Sequence, residues 1–404
     1  MARISTSYLL ILGLLTGIGP LCTDLYLPAL PEISGQLATT STLTQLTLTA
    51  SLLGLGLGQL LFGPLSDRTG RKIPLLLSLL LFIASSVLCA TTQDIHWLII
   101  WRFVQGAAGA GGSVLSRSIA RDKYQGVTLT QFFALLMTVN GIAPVLSPVL
   151  GGYIASTYDW RMLFWVMAGI AALLLFCCLL FISETMPQSL RTHGTSLFSA
   201  GRSVVKNRIF MRFCLIQSFM LAGLFAYIGS SSFTMQNEYG LTPIQFSLLF
   251  GLNGIGLIIS SIIFSRLARR IMAITLLRGG LLLAVICALT TLLCSWLQHP
   301  ILTLVALFFT MAFCSGISTV ASAEAMSVVD AQESGTASAL IGMSMFIFGG
   351  ISAPLSGLGG ETMLKMSLTV ALCYMAALIL ANSGSSDLEL KQSKHEIIKS
   401  SRKR

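Results

Sequence analysis

Two ionisable side chains lie inside long apolar runs: Asp24 in the first and Arg102 in the fourth. A charge within hydrocarbon is costly, so each needs a partner or a task. If the runs are helices, Asp24 lies about six residues before the outer end of its helix and Arg102 about five after the outer start of its own. At ~1.5 Å per residue both sit roughly 8 to 9 Å below one boundary. Should helices 1 and 4 be neighbours, the two can pair. A carboxylate whose cationic partner moves during a cycle can take up and release a proton. The competing reading is that both snorkel to the interface as anchors. Asp24 is the only carboxylate placed well inside a run, because Glu324 and Glu361 fall at run edges, and His96, His193, His299 and His395 lie near run ends or in loops.

A second cluster runs from Gly58 to Lys72, where four of fifteen residues are charged in a chain with 10% charged residues. Its functional members are Gly58, Gly63, Asp67, Arg68, Gly70, Arg71 and Lys72. Asp67 and Arg71 are spaced to pair around a turn closed by Gly70, which would latch a gate on the side that the cations mark as cytoplasmic. A fainter copy follows 198 positions later, with Gly56, Gly58, Arg68, Arg71 and Lys72 reappearing as Gly254, Gly256, Arg266, Arg269 and Arg270. Two related halves are therefore expected. Gly106, Gly109, Gly111 and Gly112 would let another helix approach closely. In the phrase Gly141 to Gly152, Pro144 and Pro148 remove backbone donors and bend a helix, flanked by Gly141, Gly151 and Gly152. Tyr26, Gln105, Asn140, Gln217, Tyr227 and Asn253 are polar groups that could line a cavity or simply bond helix to helix.

The elements that must position these residues follow from composition. The 404 residues are 54% hydrophobic, with a mean hydropathy of +0.83 and repeated runs of spanning length. Such a chain is a polytopic membrane protein, and continuous rather than alternating runs indicate helices. Twelve transmembrane helices are expected at about 8–30, 42–64, 74–91, 97–120, 127–155, 161–183, 209–232, 243–264, 271–296, 300–322, 336–359 and 362–382. The first run reads as a retained helix rather than a secretion signal. The fold class is an all-α membrane protein of two pseudo-symmetric six-helix bundles, residues 1–184 and 209–382, joined by a linker at 185–208 and followed by a basic, disordered tail at 383–404. Lysines and arginines gather in segments of one parity, placing both termini in the cytoplasm. The net charge of +10 is spread by topology and does not indicate nucleic acid. The nine cysteines sit in apolar runs, so neither a disulfide framework nor a metal site is implied. An integral membrane enzyme would need a polar catalytic cluster, and the glycines of helix 4 lack the strand and helix context of a dinucleotide site. No cofactor is expected. A non-transporting sensor remains a third class.

These motifs together resemble a known family. Gly58 to Lys72 resembles the helix 2–3 signature of the major facilitator superfamily, and Arg102, Gln105 and Gly106 its helix 4 arginine phrase. Gly141 to Gly152 resembles the helix 5 signature of twelve-helix drug:proton antiporters, with Ser147 where glycine often stands. The stretch Thr23 to Pro31, with Arg121, Asp122, Trp160, Arg161 and Phe164, resembles the bicyclomycin and chloramphenicol resistance (Bcr/CflA) branch. The resemblance implies alternating access, with small amphiphilic drugs exported from the bacterial inner membrane in exchange for protons by a monomer in the lipid bilayer. An exporter of an endogenous metabolite is the alternative. It further implies that Asp24 is the protonation and substrate site, Arg102 its switchable partner, and Asp67, Arg68 and Arg71 the cytoplasmic gate.

Overall fold

The computed structural model describes residues 6–124, 126–186, 204–329, 334–358 and 360–383, with the side chains of 6, 7, 9, 126–141, 334–336 and 339 outside the description. Among these residues all regular structure is helical. The long helices are α1 (Thr6–Asp24), α3 (Ser41–Thr69), α4 (Lys72–Thr91), α5 (Ile95–Lys123), α6 (Gly126–Thr157), α7 (Arg161–Phe181) and α8 (Arg208–Phe233), then α9 (Pro243–Leu267), α10 (Ala273–Trp296), α11 (Pro300–Ser327), α12 (Ser334–Ser356) and α13 (Met363–Asn382). A short α2 (Leu30–Gln36) follows α1 through a 3-10 turn at Leu27–Ala29. Ten spans are long and apolar enough to cross a membrane, and α6 and α12 contribute the shorter described stretches Ile142–Thr157 and Leu340–Ser356.

Two expectations need correction. The first helix does not continue to residue 30: it stops at Asp24, because Pro28 and Pro31 lack the amides that an uninterrupted helix would need and instead open the 3-10 turn and α2. Asp24 thus closes a helix at a break in the span. The charged cluster is also less of a loop than expected. Helix α3 runs through Gly58, Gly63 and Asp67 to Thr69 and ends only where Gly70 takes φ 94°, its amide bonding the Ser66 carbonyl. A side chain would strain that conformation.

Packing explains the glycines. Helices α3 and α5 lie backbone to backbone: a methyl on Gly58 would meet the Ala107 carbonyl and sit 2.8 Å from the Ala110 Cβ, and one on Gly106 would meet the Ser51 carbonyl. In the second half Gly256 of α9 also faces α11, but it receives side chains rather than backbone, with Phe308 3.0 Å and Ala312 3.5 Å from its missing Cβ. The internal sequence repeat thus pairs the equivalent helices, tightly in the first half and through an aromatic ring in the second.

The chain forms two compact units. The first comprises residues 1–195, 225–255 and 349–366, and the second 196–224, 256–348 and 367–404. The first unit therefore joins segments from both sequence halves. Inside it, Gln236 Nε2 donates to the Pro28 carbonyl at 2.9 Å, Gln45 Nε2 donates to the Gly229 carbonyl at 3.1 Å and the Ser230 hydroxyl at 3.0 Å, and Thr42 Oγ1 donates to the Gly357 carbonyl at 3.3 Å. Gly152 of α6 takes the Pro243 carbonyl 2.8 Å from its missing Cβ. In the second unit, Phe264 fills the notch left by Gly280 and Gly316, and Tyr374 lies against Gly223.

Forcing a methyl into the α3–α5 contact overpacks a tight interface, which costs about 1 to 3 kcal/mol. Gly106→Ala should lower the thermal unfolding midpoint in detergent, whereas Gly169→Ala, with open space around it, should leave it unchanged or raise it.

Candidate functional site

Arg102 is fully buried on α5, and its environment is neutral. One guanidinium nitrogen donates to Gln105 Oε1 at 2.5 Å and to Cys22 Sγ at 3.4 Å; the other donates to the Cys22 carbonyl at 2.8 Å. The guanidinium carbon lies 4.0 Å from the Tyr26 ring centroid and 5.7 Å from that of Phe164, within the range of cation–π attraction. Its Nε is buried without a partner. Gln105 passes the network on, donating to Ser86 Oγ at 2.7 Å, and the Tyr26 hydroxyl lies 3.3 Å from Thr47 Oγ1. Residues from α1, the turn after it, α5 and α7 touch the guanidinium, and α3 and α4 support them through Thr47 and Ser86.

Asp24 does not join them. It is buried, accepts a hydrogen bond from Thr23 Oγ1 at 2.9 Å, and forms no ion pair with Arg102. The expected pair is therefore absent in this conformation. Cys22 and Tyr26, four residues apart, present one face to Arg102, and Asp24, midway between them, lies roughly 200° round the turn at 100° per residue. Arg102 does reach the Cys22 carbonyl, two residues from Asp24, but the Asp24 side chain does not face it. Behind Asp24, Gly151 of α6 abuts the Leu25 carbonyl, with the Leu25 Cα 3.4 Å from the position of its missing Cβ.

At the basic end of the first-half helices, Arg71 organises the second cluster. Its guanidinium bonds Asp67 at 2.5 Å, Ser66 Oγ at 2.7 Å and Asp122 at 2.9 Å. The Asp67–Arg71 pair is as expected; Asp122 and Ser66 complete a cage that spacing alone did not reveal. Glu184 accepts the Arg71 amide at 2.8 Å and the Lys72 amide at 3.2 Å, capping α4. Thr185 Oγ1 donates to Asp122 at 3.0 Å. Partial burial works against the Glu184 carboxylate, but the amides of Arg71, Met186, Lys72 and Thr185 outweigh it and hold the carboxyl below its ordinary value. Arg68 is exposed, Lys72 Nζ donates to the Leu179 carbonyl at 3.4 Å, and Gly63 makes ordinary contact with Val114.

The scattered polar candidates separate. Tyr26 and Gln105 belong to the Arg102 network. Asn253 Nδ2 donates to the Tyr227 hydroxyl at 2.8 Å, and Tyr227 stacks on Phe250 at 5.3 Å, so these two form a helix-to-helix bond. Gln217, in the second unit, accepts from the Ser322 hydroxyl. In α6, Pro148 is buried and Pro144 half-buried inside the helix. The side chains of Asn140 and Gly141 lie outside the described residues.

An arginine-centred helical core, a capped acidic and basic cluster and an internal sequence repeat mark this chain, and comparison with known proteins gives it a family. The model described as Major Facilitator Superfamily matches residues 12–354. The chain belongs to that superfamily. It is 37% identical to the Uncharacterized MFS-type transporter YdgK of Bacillus subtilis (strain 168) over 93% of this chain and 94% of that one. It is 28% identical to the Bicyclomycin resistance protein homolog of Haemophilus influenzae over 92% and 94% of the two chains. Multidrug resistance protein D of Escherichia coli (strain K12) matches at 28% over 61% of this chain and 62% of its own. The resemblance to the drug:proton antiporter branch is thus met by relatives with such names. Among solved structures, the inward-facing, unoccupied bacterial homologue of the human lysosomal transporter Spinster superposes with a TM-score of 0.74 over 94% and 95% of the chains at 14% identity, and a D-xylose-proton symporter with 0.71 over 92% and 96% at 15%. These two likenesses speak for the fold. The chain is a multi-pass membrane transporter of the superfamily rather than an enzyme.

Arg71→Lys keeps the charge but cannot reach Ser66, Asp67 and Asp122 together, and should cost about 1 to 3 kcal/mol in chemical or thermal unfolding. Because the Glu184 carboxyl is held below 4.5, its ordinary value, its stabilisation is complete above that pH and is lost as pH falls through the lower value. Wild type should therefore lose more stability than Glu184→Gln on acidification below about 4.5, measured by thermal unfolding across pH.

Proposed function

We propose that this transporter exports small amphiphilic drugs across the bacterial inner membrane in exchange for protons, with Asp24 as the coupling group and Arg102 as its alternating partner. The observation that carries the reading is that two opposite intramembrane charges, two residues of backbone apart through Cys22, are kept unpaired here, each with neutral neighbours. Arg102 rests on Cys22, Gln105 and Tyr26, contacts that can be exchanged for a carboxylate without unfolding anything. Asp24 stands at a helix break, where the chain that follows is not held in an intact helix and can be rewound to turn the carboxylate toward Arg102. In one state Asp24 carries the proton apart from Arg102; in the other it pairs with the guanidinium and gives the proton up. The names of the bicyclomycin and multidrug resistance relatives support a drug-like substrate. The basic segments support cytoplasmic termini, and the repeated helix pairing supports two six-helix bundles acting as a monomer. Under that orientation the Arg71 cluster lies at the cytoplasmic end and the seam around Gln45 at the outer end.

The test is substrate-induced proton release from purified protein in detergent, with chloramphenicol among the first compounds titrated. Wild type should release protons on binding a substrate and Asp24→Asn should release none. Unchanged release in Asp24→Asn would overturn the assignment of the coupling group. Arg102→Lys, which keeps the charge but loses the planar fork and the stacking on Tyr26, should reduce transport in vesicles by about tenfold or more while leaving binding detectable.

A further inference from the structure

The seam that closes the end remote from Arg71 contains an unexplained gap in its hydrogen bonding. Gln45 of α3 spends both amide protons on Gly229 and Ser230, so it can offer only its Oε1. That oxygen is buried and accepts nothing. Beside it lies Glu361, in the connection between α12 and α13, whose two carboxyl oxygens are likewise sealed from solvent; the Ser41 hydroxyl is near enough to act on them but makes no well-formed hydrogen bond to either. A carbon placed on Gly357 would lie 2.5 Å from Gln45 Oε1 and 2.8 Å from Glu361 Oε1, so the two oxygens flank one point that the missing side chain leaves free. Two buried acceptors flanking one point without a shared donor are unfavourable, and a hydrogen placed between them relieves both.

We propose that Glu361 is a second proton-binding site, which takes a proton from the outer solvent as residues 349–366 seat on α3 and, as the neutral acid, donates it to Gln45 Oε1. The O–H bond forms on Glu361, the Gln45 carbonyl accepts, and opening the seam returns the proton to the outside. Among the described residues no cation is bonded to Glu361. Lys365, on the first turn of α13, donates its ammonium to the carbonyls of Leu358 at 3.2 Å and Gly360 at 2.9 Å. Glu238, exposed on the segment after α8, accepts the Met363 amide. The facing turns of α3 from Ser41 to Gln45, the end of α8 from Phe225 to Phe233 and the end of α12 from Gly349 to Ser356 carry no charged residue.

Burial pushes the Glu361 carboxyl up to about 8 from its ordinary 4.5, with the Ser41 hydroxyl opposing. The closed seam therefore binds the proton more tightly than the open one, where Glu361 meets water. Between these values closing takes up one proton; above about 8 closing must bury a bare carboxylate against an oxygen, and the closed state loses ground. Glu361→Gln can donate its amide to Gln45 Oε1 at every pH and should hold the seam closed without titrating. The place of this event in a transport cycle rests on the alternating-access reading above, but the proton site itself does not.

The experiment uses the full chain in lipid nanodiscs. Difference infrared spectroscopy of Asp24→Asn against Asp24→Asn with Glu361→Gln isolates the Glu361 carboxylic acid band, and spin labels at Thr39 and Leu358 report opening of the seam. The band should titrate near pH 8, the label distance should lengthen over the same interval in the protein with native Glu361, and both responses should vanish in Glu361→Gln. Gln45→Leu removes the acceptor but keeps the burial, so the midpoint should stay raised while the carbonyl stretch of the acid moves to higher frequency as its hydrogen bond is lost. A band that titrates near the ordinary carboxylate value, or a closed seam at high pH with native Glu361, overturns the proposal. So does a midpoint that follows sodium or potassium concentration at fixed pH, which would make the missing donor a metal cation. Because Asp24 is already removed, failure here is separate from failure of the coupling assignment.

Discussion

An uncompensated cation is the constraint on which the rest of the first unit depends. Moving a guanidinium out of water costs several kcal/mol even after relaxation, and Arg102 recovers it only piecemeal from a carbonyl, a thiol, an amide oxygen and two aromatic faces. Each of those partners must be fixed by something else. Gln105 is fixed by Ser86, Tyr26 by Thr47, and the Cys22 carbonyl by the helix whose last turn ends at Asp24. The arginine therefore sets the azimuth of the first helix as well as occupying the core. A carboxylate brought into this ring would relieve the charge at once, and the absence of one makes the arrangement a state rather than a resting point.

The rigidity that this demands comes from residues with no chemistry of their own. Helices α3 and α5 meet through Gly54, Gly58 and Gly106 with carbonyls in contact with Cα hydrogens, close enough that no rotation of one helix about its axis is tolerated. In lipid such packing replaces the hydrophobic effect as the force holding helices together. It also fixes the height of Arg102, which lies one turn before Gly106 on α5. Backbone hydrogen bonds are nonetheless missing at prolines in this unit: Pro20 in α1, the Pro28 and Pro31 break after Asp24, Pro64 in α3, and Pro144 and Pro148 in α6.

Most of the architecture was legible in the sequence because a bilayer leaves few choices. Run lengths fixed the helices to within a few residues, and the two glycine copies foretold matching helix pairs. What spacing could not supply was direction across a helix axis. Arg102 does meet the first helix near Asp24, yet the face it meets is that of Cys22 and Tyr26, neither of which carries a charge that would draw notice. Asp122 and Glu184 were likewise missed as partners of Arg71, because they come from chain segments 51 and 113 residues away. The i, i+4 spacing of Cys22 and Tyr26 below an arginine's carbonyl acceptor was the one available signal. Glu361 was set aside as an edge residue; its burial depends on Gly357, whose significance appears only when α3 is in place.

Gly151 and Gly152 are adjacent on α6, yet they touch different segments. One rests on the Leu25 backbone next to Asp24 and the other on the opening turn of α9 at Pro243 and Ser247. A single helical turn is thus a bearing between two surfaces, and its clearance on each side is one hydrogen atom. Machines with clearances of that size do not wear gradually. Substitution there has no mild form, since the smallest side chain already exceeds the gap, so sequence drift in this transporter should be free on the lipid-facing side of the same helix and frozen at this turn.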